Sequence, residues 1–198
     1  TKIKICGIQT KKEIEMINEF VLDIDYIGLI FAPSKRKVDL KKAKSFLKVL
    51  DKRIKKVGVF VDEDIKVINE IKSILDLDII QCHGSEKNKD LKKINGEVWK
   101  AISIKDKNSL EKIKKYSFAD NILLDNKNPG SGEKFDWDIL KESQFKNFIL
   151  AGGLNPKNVK SAIKYINPKI VDVSSGVQKG KYKDKNLIKK FIRSVKYE

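Results

Sequence analysis

Cysteine is scarce and long apolar runs are missing from this 198-residue sequence. Its two cysteines, Cys6 and Cys82, are too few for a disulfide framework and indicate a reducing compartment. No run of about 18 apolar residues could cross a membrane, and no signal-peptide pattern opens the chain. We therefore expect a cytoplasmic protein with no membrane partner.

Arginine is also scarce, although the formal net charge is +16. Of the 43 basic residues only Arg36, Arg53 and Arg193 are arginines, and the lysines are interleaved with Asp and Glu. Proteins that read bases or clamp nucleic-acid phosphates favour clustered arginine. The composition thus favours a solvated surface that can steer an anionic small molecule, and we expect no nucleic-acid partner. A basic, nonenzymatic nucleic-acid-binding protein is the competing hypothesis.

Metal-binding spacings are missing as well. The sequence has no CxxC or HxxxH pattern, and His83 is its only histidine. A zinc site made of Cys6, Cys82, His83 and Asp125 would need Cys82 and His83 to point the same way. Neighbouring residues on a strand point to opposite faces. We therefore expect no metal, and we expect Cys82 to pack against the helix layer.

Short apolar strands alternate with helical segments along the whole chain. This alternation predicts a parallel sheet. Eight such units favour a closed (β/α)8 TIM barrel, and a doubly wound open sheet is the alternative. No composition shift divides the chain, so we predict one α/β domain over residues 1–198. The predicted strands are Lys2–Cys6, Tyr26–Phe31, Lys56–Val61, Asp78–Cys82, Val98–Ser103, Asn121–Leu124, Phe148–Leu150 and Ile170–Val173.

Helical segments follow the predicted strands. Thr10 and Glu13 have the spacing of a capping box, so a helix should begin after Thr10. Further helices are predicted at Leu40–Leu50, Asp64–Leu75, Asn108–Tyr116 and Asp184–Val195, with a short polar helix that ends near Ile94. A glycine loop at Pro129–Gly132, a helical turn at Phe135–Trp137 and a helix that opens at Asn155 and Pro156 complete the prediction.

Two turns of small residues follow the last two predicted strands. Gly152 and Gly153 come after the seventh strand, and Ser174, Ser175 and Gly176 come after the eighth. Glycine lets the backbone approach an anion, and a helix N-terminus supplies free N–H donors with positive partial charge. In (β/α)8 barrels the loops after strands 7 and 8 frequently bind phosphate. These turns therefore predict a phosphate cradle.

Polar side chains occupy the other strand ends, where barrel active sites lie. They include Cys6, Arg36, His83 and Asp125. Together they offer proton-transfer groups and anchors for a phosphorylated, carboxylated substrate. Each also has a structural interpretation: Cys6 as a core thiol, His83 as a structural histidine, Asp125 as a helix cap and Arg36 as part of a basic loop.

Several segments, taken in order, resemble one known family. They are KIKICGI at 2–8, GLIFAPSKRKV at 28–38, QCHG at 81–84, LLDNKNPGSGEKFDW at 123–137, AGGLNPKNV at 151–159 and VDVSSGVQKGKYKD at 171–184. They resemble the phosphoribosylanthranilate isomerases of tryptophan biosynthesis. The resemblance implies an isomerase without cofactor or metal, and we expect a monomer or homodimer. Its reaction would be the Amadori rearrangement of N-(5-phosphoribosyl)anthranilate to 1-(2-carboxyphenylamino)-1-deoxyribulose 5-phosphate.

The resemblance also implies a role for individual residues. Cys6 matches the general base that removes the C2′ proton, and Asp125 matches the general acid that opens the furanose ring. Arg36 matches the partner of the anthranilate carboxylate, while His83 and Asp172 match supporting polar positions. The two small-residue turns match the phosphate cradle.

These roles set requirements on two pKa values. A free Cys titrates near about 8.5 and a free Asp near about 3.9. A base must lose its proton and an acid must hold one, so the site should lower the pKa of Cys6 and raise that of Asp125.

The sequence departs from the family pattern at three positions. Gln178 replaces the usual acidic residue after SSGV, Cys82 replaces an apolar residue, and Asn126 replaces a small hydroxyl residue. Sister barrels are the alternative among enzymes: the histidine-pathway sugar isomerase works with paired Asp residues, and indole-glycerol-phosphate synthase needs a catalytic Lys. A thiol on strand 1 with a carboxylate on strand 6 fits neither well.

Overall fold

The computed structural model describes residues 1–104, 106, 108–125, 137–141 and 146–197. Its centre is a closed barrel in which eight parallel strands follow one another in chain order. The barrel closes because the first strand pairs with both the second and the last: Ile5 lies opposite Ile27 and Val173. The strands are β1 (Lys2–Cys6), β2 (Tyr26–Ile30), β3 (Lys55–Phe60), β4 (Ile79–Cys82), β5 (Glu97–Ser103), β6 (Asn121–Asp125), β7 (Ile149–Leu150) and β8 (Ile170–Val173).

The predicted (β/α)8 barrel is confirmed, and the open-sheet alternative is wrong. The observed strand ends lie within one residue of the predicted ones. Continuous apolar runs are the reason, because every strand of a parallel barrel is covered on both faces and its sequence contrasts sharply with the polar loops.

Helices lie between the strands and after β8. They are α1 (Lys11–Asn18), α2 (Leu40–Leu47), α3 (Ile65–Leu75), α4 (Asn88–Leu91), α5 (Asn108–Glu111), α6 (Asp138–Lys141), α7 (Val159–Ile166) and α8 (Lys185–Lys196). None of the helices in the described ranges combines the length and the apolar character needed to span a bilayer.

The predicted capping box is present at the start of α1. The Thr10 hydroxyl accepts a hydrogen bond from the Glu13 N–H at 3.3 Å, and the Glu13 carboxylate accepts one from the Thr10 N–H at 3.0 Å. Two free N–H groups at the helix start are thereby satisfied.

Four helices are shorter than predicted, among them α4, which ends at Leu91 rather than near Ile94. The second ends at Leu47 rather than Leu50, and the fifth gives way to a 3-10 turn at Ile113–Lys115. The helix after β7 begins at Val159, not at Asn155 and Pro156. There the Asn158 side chain accepts from the Asn155 N–H at 2.8 Å, so side-chain bonds form a turn before the helix. The predicted loop at Pro129–Gly132 and residues 135 and 136 of the predicted turn lie outside the described residues.

The chain between β8 and the predicted closing helix contains elements that the sequence did not predict. A 3-10 turn at Ser175–Val177 comes first, followed by a small antiparallel pair, β9 (Gln178–Lys179) and β10 (Tyr182–Lys183), and then α8. This hairpin places Lys183 under the turn that follows β8, because the Lys183 ammonium donates to the Ser174 carbonyl at 3.0 Å.

Two apolar layers hold the barrel together. The outer layer lies between strands and helices and includes Cys82, which is fully buried there as predicted. The inner layer fills the barrel itself and consists of Tyr26, Val57, Ile79, Trp99, Ala101, Leu123, Ile149, Ala151 and Ile170. Side chains alternate along each strand between the inside and the outside of the barrel. The inward-facing residues that come after this layer therefore lie at the carboxyl-terminal end of the barrel.

Candidate active site

A cavity of about 370 Å³ opens at the carboxyl-terminal end of the strands. Its size falls within the range usual for small-molecule sites. Nine of the ten residues predicted from the sequence line it, and they come from six different loops or strand ends. These nine are Cys6, Arg36, His83, Asp125, Gly152, Gly153, Asp172, Ser174 and Ser175.

Gly176 is the candidate that does not line this cavity. It lies beside a separate depression together with Asn155 and Arg193. A Cβ atom at Gly176 would come within 1.9 Å of the Leu154 carbonyl oxygen. Glycine is therefore required for the turn after β8 to press against the turn after β7, and Gly176 supports the cradle from behind.

Replacing Gly176 by Ala should lower the free energy of unfolding by about 3 kcal/mol, because the clash involves backbone rather than a movable side chain. Urea denaturation measures this loss. Gly180→Ala is the matched control: it has a left-handed φ of 63° but nothing within 4 Å of the added atom. Only a conformational cost of about 1 kcal/mol is expected there, and equal losses in the two variants would contradict the close-packing account.

The turn after β7 has the geometry that an anion site needs. Gly152 and Gly153 adopt φ values of 83° and 67°, a region that favours glycine. Within the described residues, the N–H groups of Gly152, Gly153 and Ser175 make no hydrogen bond with the protein. These donors face a cavity, where a phosphate could accept from them.

Lys183 brings a positive charge to the base of the same turns. Its ammonium donates to the carbonyl and the hydroxyl of Ser174 at 3.0 and 3.3 Å. Burial lowers the pKa of Lys183 to about 8. The Ser174 hydroxyl in turn donates to the Cys6 carbonyl at 2.9 Å, which ties the turn to the end of β1.

The Cys6 thiol is buried beside these groups, and its pKa differs from the sequence-based expectation. Desolvation raises the pKa of Cys6, and Asp172 adds to that effect, while Lys4 and Lys183 lower it without overcoming burial. The expected lowering is therefore wrong. The sequence indicates that cations lie near the thiol, but it does not show how completely the folded site excludes water from the sulfur, and this loss of water has the larger effect on the pKa of Cys6.

His83 and Asp125 meet on the opposite side of the cavity. His83 Nε2 lies 3.5 Å from Asp125 Oδ2, and Gln81 Nε2 lies 3.3 Å from His83 Nδ1. Burial, reinforced by Lys100 and Lys4, lowers the pKa of His83 to about 4. His83 is therefore neutral near pH 7, and a proton on Nε2 would point towards the Asp125 carboxyl group.

A buried ion pair fixes the loop that carries His83. Lys100 Nζ lies 2.8 Å from Glu86 Oε2 and donates to the Gly84 carbonyl at 2.6 Å. Glu86 accepts from the N–H groups of Asp62 and Gly84. The pair sits on the helix side of the barrel, so it shapes the loop without entering the cavity.

Arg36 reaches the cavity from the loop after β2. Its stem passes so close to Gly7 that a Cβ there would lie 2.6 Å from Arg36 Cδ. Arg36 Nε donates to Gln178 Oε1 at 2.8 Å. The neutral amide of Gln178 thus orients the guanidinium group.

Two inward-facing polar residues were missed by the sequence reasoning. Lys4 lies fully buried inside the barrel and its ammonium is 2.8 Å from Asp172 Oδ2. Gln81 lines the cavity beside His83. Strand alternation carried the signal for both, since Lys4 precedes Cys6 by two residues and Gln81 precedes His83 by two. Lys183 had no such signal, because its position depends on the unpredicted hairpin.

Several buried polar atoms in the cavity lack a partner among the described residues. Gln81 Oε1, Asp172 Oδ1 and His83 Nε2 make no hydrogen bond there. Buried polar groups are costly unless they are paired, so these atoms suit a ligand that carries several hydroxyl groups. Across the described part of the chain, no cluster of three or more His, Cys, Asp or Glu is arranged to hold a metal ion.

One family model matches the sequence over nearly its whole length. Residues 3–194 match the family described as N-(5'phosphoribosyl)anthranilate (PRA) isomerase. The N-(5'-phosphoribosyl)anthranilate isomerase of Clostridium kluyveri is 44% identical over 197 residues, with 98% of each chain covered.

Solved structures give the same result. The crystal structure of phosphoribosyl anthranilate isomerase from Thermotoga maritima superposes on this chain with a TM-score of 0.90 and is 36% identical in sequence. The match covers 99% of this chain and 98% of the Thermotoga maritima chain. A phosphoribosyl anthranilate isomerase in complex with reduced 1-(o-carboxyphenylamino)-1-deoxyribulose 5-phosphate has a TM-score of 0.87 at 33% identity, with 99% and 98% covered. The family model, the relative and the solved structures each match nearly the whole chain. The chain therefore belongs to the N-(5'-phosphoribosyl)anthranilate isomerase family of enzymes.

Proposed function

We propose that this enzyme converts N-(5-phosphoribosyl)anthranilate into 1-(2-carboxyphenylamino)-1-deoxyribulose 5-phosphate by an Amadori rearrangement, a step of tryptophan biosynthesis. One observation carries the proposal: a thiol at the end of β1 and a carboxyl group at the end of β6 line the same cavity as two turns with free N–H groups. Ring opening needs an acid, the shift of the carbonyl from C1′ to C2′ needs a base, and the phosphate needs a cradle.

Asp125 acts first, as the general acid. Its proton passes to the ring oxygen while the C1′–O bond breaks and the nitrogen lone pair forms a protonated Schiff base. The neutral His83 supports this step, because Gln81 can donate to Nδ1 and leave the Nε2 proton facing Asp125. A neutral imidazole borders the carboxyl group at 3.5 Å without adding a positive charge that would favour the carboxylate.

Cys6 acts second, as the general base. Its thiolate removes the C2′ proton, and the electron pair of that C–H bond moves into the Schiff base to give an enolamine. Tautomerisation of the enolamine then places the carbonyl at C2′ and a CH₂ group at C1′. The burial of Cys6 keeps competing protons from bulk water away from this step.

The two charged ends of the substrate have separate anchors. The free N–H groups of Gly152, Gly153 and Ser175 would bind the phosphate, with the Lys183 charge close behind Ser174. Arg36, oriented by Gln178, would bind the anthranilate carboxylate through its two terminal nitrogens. Asp172 keeps an oxygen free for a sugar hydroxyl while its other oxygen holds Lys4.

We also propose that the chain forms one domain and works as a monomer or homodimer in the cytoplasm. Pairing of the first strand with the last supports one domain. Two cysteines that are both free and buried suit a reducing compartment.

The test is turnover of freshly generated N-(5-phosphoribosyl)anthranilate by the purified protein, followed by chromatography of substrate and product. We expect saturable conversion to the deoxyribulose phosphate product. The bulkier substrate of the histidine-pathway sugar isomerase serves as the comparison. A folded protein that converts only that second substrate would overturn the assignment.

A further inference from the structure

A charged pair lies inside the barrel, below the cavity, and the proposed reaction leaves its cation without a role. We propose that Lys4 is a positioning residue whose ammonium, fixed by Asp172, favours the thiolate form of Cys6 that takes the substrate proton. This inference rests on the proposed role of Cys6 as general base. Lys4 would then contribute to the reaction from inside the barrel, whereas the sequence predicted candidate residues only at the strand ends.

The position of Lys4 on β1 directs it towards the sulfur. Lys4 and Cys6 are two residues apart, so both side chains face the inside of the barrel. Gly28 on the neighbouring strand leaves the space that they share. The point where a Gly28 Cβ would lie is 2.7 Å from Cys6 Sγ and 3.1 Å from Lys4 Nζ, so thiol and ammonium border the same small gap.

Asp172 keeps the ammonium in that position. It lies opposite Lys4 in the β1–β8 register, and the two charges are 2.8 Å apart with side-chain exposures of 0% and 8%. A lysine without a partner at this depth would lose its proton. Desolvation does act against the charged form, but Asp172 together with Cys6 outweighs it and raises the pKa of Lys4. The cation therefore persists where water is excluded.

The groups around Cys6 act on its thiolate in opposite directions. Lys4 below it and Lys183 beside it favour the thiolate, while Asp172 disfavours it. Arg36 lies over the adjacent Gly7. Removing the charge of Lys4 takes away its attraction for the Cys6 thiolate. It also leaves the negative charge of Asp172 without its partner, and that charge repels the thiolate. Both effects act against ionisation of Cys6.

The experiment measures the pH dependence of Cys6 alkylation by iodoacetamide in the full-length protein. All variants carry Cys82→Ala, so that Cys6 is the only thiol. Lys4→Met should move the midpoint of the alkylation profile upwards by about one pH unit or more, the usual effect of one nearby charge. Asp172→Asn should also move it upwards, because the buried ammonium loses the partner that keeps it charged, and the double variant should lie no higher than Lys4→Met. Lys2→Met, the same substitution on the same face of β1 at an exposed position, should leave the midpoint unchanged.

Turnover gives the second measurement. Lys4→Met should lower kcat at pH 7 by about tenfold or more, in proportion to the lost thiolate, and raising the pH should restore part of it. A merely structural role would reduce the folded fraction, seen by circular dichroism, without moving the alkylation midpoint.

An unchanged midpoint in folded Lys4→Met would overturn the inference. If Lys4→Met does not fold, Asp172→Asn alone tests it, and an unchanged or lowered midpoint there would be equally fatal. Alkylation needs no substrate, so the result is independent of the proposed reaction: a parent protein that shows the shifts but turns over nothing would refute the reaction and leave the pairing intact.

Discussion

Replacing Asp125 by Asn is expected to lower kcat for N-(5-phosphoribosyl)anthranilate by about 10² to 10⁴, the usual contribution of a general acid. Asparagine keeps the size of the side chain and its approach to His83 Nε2, which lies 3.5 Å from the Asp125 carboxyl group. It cannot give a proton to the ring oxygen. Initial rates at saturating substrate measure the effect, and KM should change much less because the amide still occupies the same place.

This substitution also separates the catalytic interpretation from the structural one. Asparagine caps a helix about as well as aspartate does. If Asp125 were only a cap, the variant would keep its activity. Asp39→Asn is the matched control, since Asp39 is the N-cap of α2 and accepts from the Lys42 N–H at 2.8 Å. It should retain parental kcat, and a parental rate in Asp125→Asn would refute the acid assignment.

Replacing Cys6 by Ser is expected to be equally severe, with a loss of about 10² to 10⁴ in kcat. The hydroxyl group fits the space of the thiol, but its proton is held far more tightly, so no usable base remains at pH 7. Because burial already raises the pKa of Cys6, the parental rate should climb as the pH rises from 6 to 9, and the serine variant should lose this dependence.

The second cysteine provides the control for this change. Cys82 is fully buried in the outer layer, on the face of its strand opposite to the cavity, and burial raises its pKa to about 12. Cys82→Ala should retain parental kcat while it loses some stability. Equal losses of activity in Cys6→Ser and Cys82→Ala would mean that packing, and not proton abstraction, explains the effect.

The barrel could be predicted because its strands are short, apolar and separated by polar helices. The side chains at the strand ends could also be predicted to line one cavity, because in a closed parallel barrel all strands end at the same side. Cys6 and Asp125 therefore lie on one cavity although 118 residues separate them in the sequence.

The unpredicted features depend on geometry that local patterns do not encode. Gly176 lies behind the cradle because two backbone turns press together. Lys183 reaches Ser174 only through the hairpin after β8. The helix after β7 begins late because Asn158 bonds back to Asn155. The pKa of Cys6 depends on how completely the barrel excludes water, which a residue pattern cannot give.

The central claim is that one substrate lies between Cys6 and Asp125 with its phosphate at the small-residue turns. A crystal structure of the protein with the reduced product analogue, 1-(o-carboxyphenylamino)-1-deoxyribulose 5-phosphate in reduced form, tests it most directly. We expect the phosphate on the N–H groups of Gly152, Gly153 and Ser175, and the carboxylate on Arg36. Cys6 Sγ should lie about 3 to 3.5 Å from C2, and the Asp125 carboxyl group about 2.6 to 3.2 Å from O4, the ring oxygen of the substrate. An analogue bound in the reverse direction, or with C2 out of reach of Cys6, would contradict the account.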